Sequence, residues 1–310
     1  MSKRMLALLV VFLVPVAIAQ SAPAANLTFS AFDGSSFLTP LGINHTTGIV
    51  GTYCCAVLPS DSDGSATLGF VLNSRRTFGK FVFMPLLPFN SSANSYAKGI
   101  NASNVAVGGF QDVNQPQLSH GFRLLLDHID GLSVFMQIDF PGAGGRTDIN
   151  GISSVGEMVG GYCQALFCQS GALDDHGFKR DAAGNFSTID FPGAKATVVN
   201  GINKAGDMVG NFLSENHIGG WLLSGGTFTT IMPPGAYFSG VSGINNSGVI
   251  VGTFGDSHGT HGFMYVGGVY STIDHPKAGG VTTTDGIDDE GEIVGSYQRA
   301  DSQTFGYIAK

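Results

Sequence analysis

Between Phe186 and Phe212 the chain reads FSTIDFPGAKATVVNGINKAGDMVGNF, and variations on this stretch recur along its length. An aromatic and β-branched run ends in Asp190, a Pro192-Gly193 turn follows, and a second run closes on Gly201-Ile202-Asn203. Gly206 turns the chain, and a third run ends at Gly210 and Phe212. Gly-Ile-Asn, or a close variant, begins at residues 42, 99, 151, 201, 243 and 286, at intervals of 42 to 57 residues. The shortest intervals match the length of a four-stranded propeller blade.

Each copy offers four short runs, A to D, bounded by turn residues. The third copy shows them all: Gly151-Ile152-Ser153 ends run A, Met158 to Tyr162 is run B, His176-Gly177-Phe178 lies in run C, and Phe186 to Asp190 is run D. Helices do not suit such runs, because a glycine inside a helix costs about 1 kcal/mol against alanine and the runs are shorter than a typical helix. The Asn-x-x-Gly link between A and B predicts a tight hairpin, with Asn bonding its own backbone and Gly at positive φ. Asp-x-Pro-Gly-Ala, at Asp139 to Ala143 and Asp190 to Ala194, predicts a type II turn that carries the chain to the next copy.

The sixth copy stops after run C, at Gly306-Tyr307, while Phe29-Ser30-Ala31-Phe32-Asp33 near the front has the spacing of a run D. A ring in which this leading strand completes the last unit accounts for the offset and removes two exposed sheet edges. A solenoid would need capped ends. The expectation is an all-β, six-bladed β-propeller of four-stranded blades, a single domain over residues 20–310. Its units are 34–85, 86–139, 140–190, 191–232, 233–274, and 275–310 together with 26–33.

The alternation of Gly-Ile-Asn-x-x-Gly-x-Ile-Val-Gly-x-Tyr, His-Gly-Phe and Phe-x-Thr-Ile-Asp-x-Pro-Gly-Ala resembles the HAF-repeat family of bacterial exported proteins, named for a His-Ala-Phe motif. The resemblance spans nearly all of the chain after its first residues. Gly121, Gly177 and Gly262 stand where the name implies Ala, and three units lack the His. The resemblance implies an extracellular repeat protein and transfers no catalytic residues.

Lys3 and Arg4, the apolar run Met5 to Val16 and Ala17-Ile18-Ala19 have the layout of a secretory signal, so residues 1–19 are expected to be removed. The apolar run is shorter than the roughly 20 residues a membrane crossing needs, and no later run is free of glycine and polar residues. A soluble, monomeric protein is expected, secreted or periplasmic. Its 46 glycines and 12% charged residues suit a turn-rich chain. A net charge of −8 with only 15 basic residues offers no footprint for nucleic acid.

In an exported chain Cys163 and Cys168 are expected to form a local disulfide, which would contribute about 2 kcal/mol in the chain-entropy model. Cys54 and Cys55 occupy the equivalent place in the first unit, and their pairing stays open. No cofactor is expected. Asp61-Ser62-Asp63-Gly64 has a fragment of calcium-loop spacing but lacks the later carboxylate, and the four cysteines lack zinc-knuckle spacing. Ser257 to Gly262 superficially resembles a protease histidine segment, yet His261 only fills the repeating His-Gly-Phe position, and there is no Gly-x-Ser-x-Gly elbow. The recurrent Asp139, Asp190 and Asp274 are expected to cap their Pro-containing turns.

With run A nearest the axis, the long B–C loops and the Asp-x-Pro-Gly crossovers share one face. Arg146, Asp148, Lys195, Tyr237 and Phe238 enter the innermost strands there and are the binding candidates. The expected function is non-enzymatic recognition of a glycan or another envelope protein through that face. The rival is a polysaccharide hydrolase or lyase using carboxylates such as Asp148 and Asp274 at the channel mouth.

Overall fold

The structure is a computed structural model that describes residues 21–22, 27–31, 38–44, 48–54, 67–73, 81–83, 94–112, 114–115, 117–126, 133–165, 175–215 and 217–310. The signal segment, Phe32, Asp33, Cys55, Asp61, Asp63 and Cys168 lie outside the described residues. Within them every regular element is a β-strand.

Two short strands, β1 (Ser21–Ala22) and β2 (Phe29–Ala31), precede the first unit of β3 (Leu38–Ile43), β4 (Gly48–Cys54), β5 (Thr67–Asn73) and β6 (Phe81–Phe83). The second unit holds β7 (Ser95–Ile100), β8 (Val105–Gln111), β9 (Ser119–Leu126) and β10 (Ser133–Ile138). The third holds β11 (Arg146–Ile152), β12 (Met158–Cys163), β13 (Asp175–Arg180) and β14 (Phe186–Ile189). Next come β15 (Ala196–Ile202), β16 (Met208–Leu213), β17 (Ile218–Ser224) and β18 (Thr227–Ile231), then β19 (Phe238–Ile244), β20 (Ile250–Asp256), β21 (Gly259–Val266) and β22 (Val269–Ile273). The last copy comprises β23 (Val281–Thr282), β24 (Gly286–Ile287), β25 (Ile293–Gln298) and β26 (Thr304–Ala309). Within the first five copies the strands pair antiparallel with their sequence neighbours, and in the last β23 and β24 both pair antiparallel with β25, which pairs with β26.

Runs A stand side by side: β3 packs against β7, β7 against β11, β11 against β15, β15 against β19, β19 against β24, and β24 back against β3. The fold is therefore propeller-like, with run A of each sheet along a common axis. As expected, β2 completes the last sheet, Phe29 to Ala31 pairing antiparallel with Ala309 to Tyr307. Thr28 and Lys310 extend the ladder through mutual backbone hydrogen bonds of 2.8 and 3.1 Å. Unforeseen in the sequence, β1 runs parallel along β22.

The Val-Gly of run B explains most of the packing. The valines, Val50, Val107, Val159, Val209 and Val251, are fully buried and each enters the core of the following unit. Burying such a side chain contributes about 1.5–3 kcal/mol. The glycine beside it faces the other way. Gly51, Gly108, Gly160, Gly210, Gly252 and Gly295 lie directly across from Phe70, Phe122, Phe178, Trp221, Phe263 and Tyr307 of run C. A Cβ on any of them would meet that aromatic ring and collide with a carbonyl oxygen of run A.

The turns behave as the sequence implies. Gly142, Gly193 and Gly235 have φ of 85°, 76° and 83°, and each following alanine donates its amide back to close the turn. Gly206 has φ of 83°, and Asn203 Oδ1 accepts from the amides of Ala205 and Asp207. In the second unit Asn104 takes the positive φ, 57°, in place of glycine.

Gly160 and Gly161 separate the two roles of this motif. Gly160→Ala would drive a methyl into Asp148 O and the Phe178 ring, whereas a methyl on Gly161 would make ordinary contacts, with the Val198 methyls at 3.6 Å and His176 O at 3.7 Å. Gly160→Ala should lower stability by roughly 1–3 kcal/mol while Gly161→Ala stays within about 0.5 kcal/mol of the parent. Denaturant melts of the two variants check this, and equal loss in both would contradict the packing described.

Candidate functional site

Where β-bulges interrupt the A–B pairing, one residue of run A is left over between Pro40 and Gly42, Ala97 and Gly99, Ile149 and Gly151, Val199 and Gly201, and Val241 and Gly243. A bulge re-aims the side chain it carries. The residues so placed are Leu41, Lys98, Asn150, Asn200 and Ser242. In the last copy, run A is broken between β23 and β24, and Asp285 holds the same place before Gly286. Three of these side chains reach from one inner strand to the next. Lys98 Nζ donates to Asn150 Oδ1 at 2.8 Å, Asn150 Nδ2 to Val199 O at 3.0 Å, and Asn200 Nδ2 to Val241 O at 2.7 Å.

Nearer the crossover face, Arg146 and Asp148 come together as the sequence suggested, but both are buried. Arg146 Nε lies 3.3 Å from Asp148 Oδ2, and Nη2 lies 2.6 Å from Asp175 Oδ1. Tyr96 OH and Ser119 Oγ both donate to Asp148 Oδ1. Burial opposes the Arg146 charge, yet Asp148 and Asp175 outweigh it and hold its pKa above the ordinary value. Burial, reinforced by the Asp148 charge, pushes the Tyr96 hydroxyl well up. Burial pulls the Lys98 amine down, with Asp148 and Arg146 acting in opposite directions on it.

Tyr237 and Phe238 are 67% and 40% exposed at the start of β19. Phe238 corresponds in the repeat to Arg146, whose Cα partner across the unit boundary is Ser119. The equivalent of Ser119 is Ile218, itself exposed, so an apolar edge stands on this face of the fifth unit. Lys195 does not join the cluster: its Nζ lies 3.4 Å from Glu215 Oε1 in an exposed pair. Cys163 is buried at the end of β12 and is not a free thiol. Tyr96, Lys98, Asn150, Asp175 and Asn200 were missed in the sequence, although Tyr96 and Lys98 stand at the same distances before their Gly-Ile-Asn as Asp148 and Asn150 do.

The recurrent aspartates act differently from the expectation. His120, His176 and His261 Nδ1 lie 3.0, 2.9 and 2.9 Å from carboxylate oxygens of Asp139, Asp190 and Asp274. The amides of the crossover turns, Phe140, Phe191 and His275, are held instead by the hydroxyls of Thr147, Thr197 and Thr282. The fourth unit, with Gly219 and Met232 at the two positions, has lost both members of the pair. Asp274 is thus tied to His261, and Asp148 to Tyr96, Ser119 and Arg146.

At the opposite mouth, Ile43, Ile100, Ile152, Ile202, Ile244 and Ile287 line a small concavity of about 80 Å³. In the first, second, fourth and fifth units an Asn follows the isoleucine and clasps the next unit, whereas Ser153 takes that place in the third. Asn44 Nδ2 donates to Asn101 O at 2.7 Å, Asn101 Nδ2 to Ser153 O at 3.1 Å, and Asn245 Nδ2 to Asp288 O at 3.0 Å. Asp288 occupies the Asn position of the last copy. Its Oδ1 accepts from Glu290 and Glu292 amides as the others do, but its Oδ2 is buried without a hydrogen-bond partner.

No family model and no curated protein matches the chain. Solved structures do. A protein of unknown function from Dyadobacter fermentans superposes with a TM-score of 0.56 at 10% identity, covering 92% of this chain and 99% of that one. TolB from Acinetobacter baumannii gives 0.51 at 10% identity over 86% of this chain, which spans 65% of TolB. Trypanosoma rangeli sialidase gives 0.49 at 11% identity over 92% of this chain and 60% of that one. At 10% identity the likeness to TolB concerns the fold alone, that of a β-propeller protein. Among the described residues no helix is long and apolar enough to cross a membrane, and no group of three or more His, Cys, Asp or Glu is placed to hold a metal ion.

Burial raises the Asp288 carboxyl to about 6, with the charges of Glu290 and Glu292 adding to the effect. The native state then holds this proton more tightly than the unfolded chain. The stability it contributes is complete below about pH 4 and is lost as pH rises through the native value. Asp288→Asn supplies the amide donor found in the first, second, fourth and fifth units. It should raise Tm, by an amount that grows between about pH 4.5 and about pH 8. A pH-independent difference in thermal melts would contradict this account.

Proposed function

We propose that the chain is an exported recognition protein of the HAF-repeat type, a six-bladed propeller that binds a glycan at the mouth on its crossover face. One observation carries this reading. Exposed aromatics of one unit, Tyr237 and Phe238, stand on the same face as a cluster of unlike polar groups drawn from the second and third units. Flat aromatic surface with a few fixed polar groups is the usual composition of a small-molecule site. Two buried carboxylates, Asp148 and Asp175, share the single guanidinium of Arg146, and an ion-paired cluster of this kind suits positioning better than proton transfer. Export follows from residues 1–19, and the pairing of Cys163 with Cys168 belongs to the same reading.

Glycan arrays probed with the purified mature protein should give binding that Tyr237→Ala and Phe238→Ala each weaken about tenfold, the equivalent of 1.4 kcal/mol. Unchanged binding in both variants would remove this face from consideration. Capture of an envelope protein with no glycan bound would replace the ligand class. Peptide mapping without reductant should recover Cys163 linked to Cys168, and finding both as free thiols would exclude the pairing.

A further inference from the structure

The turn-side mouth has a rim whose side-chain amide donors are spent and one acceptor that is not. Around the concavity Asn44, Asn101 and Asn245 donate to the next unit, and Asn246 Nδ2 donates to Asp289 Oδ2 at 2.6 Å. Asp288, which also lines the concavity, is 4% exposed, and its Oδ2 has no hydrogen-bond partner. Elsewhere in the repeat this position directs an amide donor to a backbone oxygen across the unit boundary. At the seam where the ring closes, the equivalent oxygen is Asn44 O. A carboxylate has no proton to give there, and a buried anionic oxygen left without a donor is costly.

Electrostatics add to this. Asp288-Asp289-Glu290-Gly291-Glu292 puts four carboxylates into one turn, whereas the equivalent turns, 44–48, 101–105, 153–157, 203–207 and 245–249, hold at most one each, and Lys204 is the one lysine or arginine among all six. A mouth of this charge attracts cations. The lining also holds six isoleucines, which a hydrated metal ion would leave unused and methylenes would cover. At about 80 Å³ the concavity is roughly half the size of a cavity that takes benzene, so it suits a chain of about three or four heavy atoms. We infer that this concavity is a binding site for a short primary alkylamine, whose ammonium donates to Asp288 Oδ2 and Asn44 O and whose methylenes lie against the isoleucines. An ammonium has several N–H donors and so serves both oxygens at once. The site lies at the mouth opposite Tyr237 and Phe238 and stands independently of the glycan reading.

The test is propylamine titrated into the mature protein at about pH 8, above the raised Asp288 value of about 6, with propanol and sodium chloride as controls. Propylamine should raise Tm in a saturable way that neither control reproduces at the same concentration. In isoleucine δ1-methyl spectra it should shift the methyls around the concavity, with Ile43 and Ile287 beside the seam moving most. Asp288→Asn should weaken propylamine binding by about tenfold or more. That variant carries the residue of four other units, so it should stay folded, and its melt in amine-free buffer checks this. An equal rise in Tm with sodium chloride would reduce the effect to screening of the acidic turn, and an equal rise with propanol would reduce it to apolar contact. Either result, unchanged affinity in Asp288→Asn, methyl shifts confined to other isoleucines, or no binding at all would overturn the site.

Discussion

Backbone meets backbone around the axis, and everything outward depends on it. A Cβ on Gly99 would come 3.2 Å from Gly151 Cα, one on Gly151 3.1 Å from Gly201 Cα, one on Gly201 3.3 Å from Gly243 Cα, and one on Gly286 3.1 Å from Gly42 Cα. Inner strands this close leave no room for side chains at that level. The valine cores and the Asn clasps are the layers that this proximity brings into reach. The clasp costs little to form, because each Asn uses one end of its amide for its own turn and the other for its neighbour, so neither buried polar end goes unsatisfied.

The same architecture separates two ends of one channel. On the turn side, isoleucines converge and the lining repeats from unit to unit. On the crossover side, the slots before each Gly-Ile-Asn are filled differently in every unit: Tyr96 and Lys98, Asp148 and Asn150, Val198 and Asn200. A repeat scaffold tolerates such variation because these side chains make polar links between neighbouring inner strands and stay out of the apolar cores between sheets. Variation on one end and uniformity on the other is the pattern the proposed recognition face would show on a rigid repeat scaffold.

Much of this was legible in the residues. Run lengths, the Pro-Gly and Asn-x-x-Gly turns, and the stray strand at Phe29 announced a closed ring of sheets, because turn chemistry and strand periodicity are local. Arg146 and Asp148 were legible because they follow a crossover. Lys98 was not, since its role depends on a bulge that shifts the register by one residue, and nothing in Ala97-Lys98-Gly99 marks a bulge by itself. The His–Asp pairs were misread for a similar reason. Asp190 looks like the start of a turn, whereas its partner His176 lies on an adjacent strand, and the turn amide finds Thr197 instead. The fourth unit held the clue, having neither histidine nor aspartate.

Joining residue 29 to residue 309 in one sheet also imposes an order of events. Early strands of the chain can zip into hairpins as soon as they emerge, but the seam cannot close until the far terminus has been made. Until then the last sheet lacks its outer strand, Phe29 to Ala31, and the ring stays open between its first and last units, although the cores between earlier units can already be complete. Such a polypeptide stays threadable for as long as its tail is withheld, and locks in a single late step once both ends are free to meet.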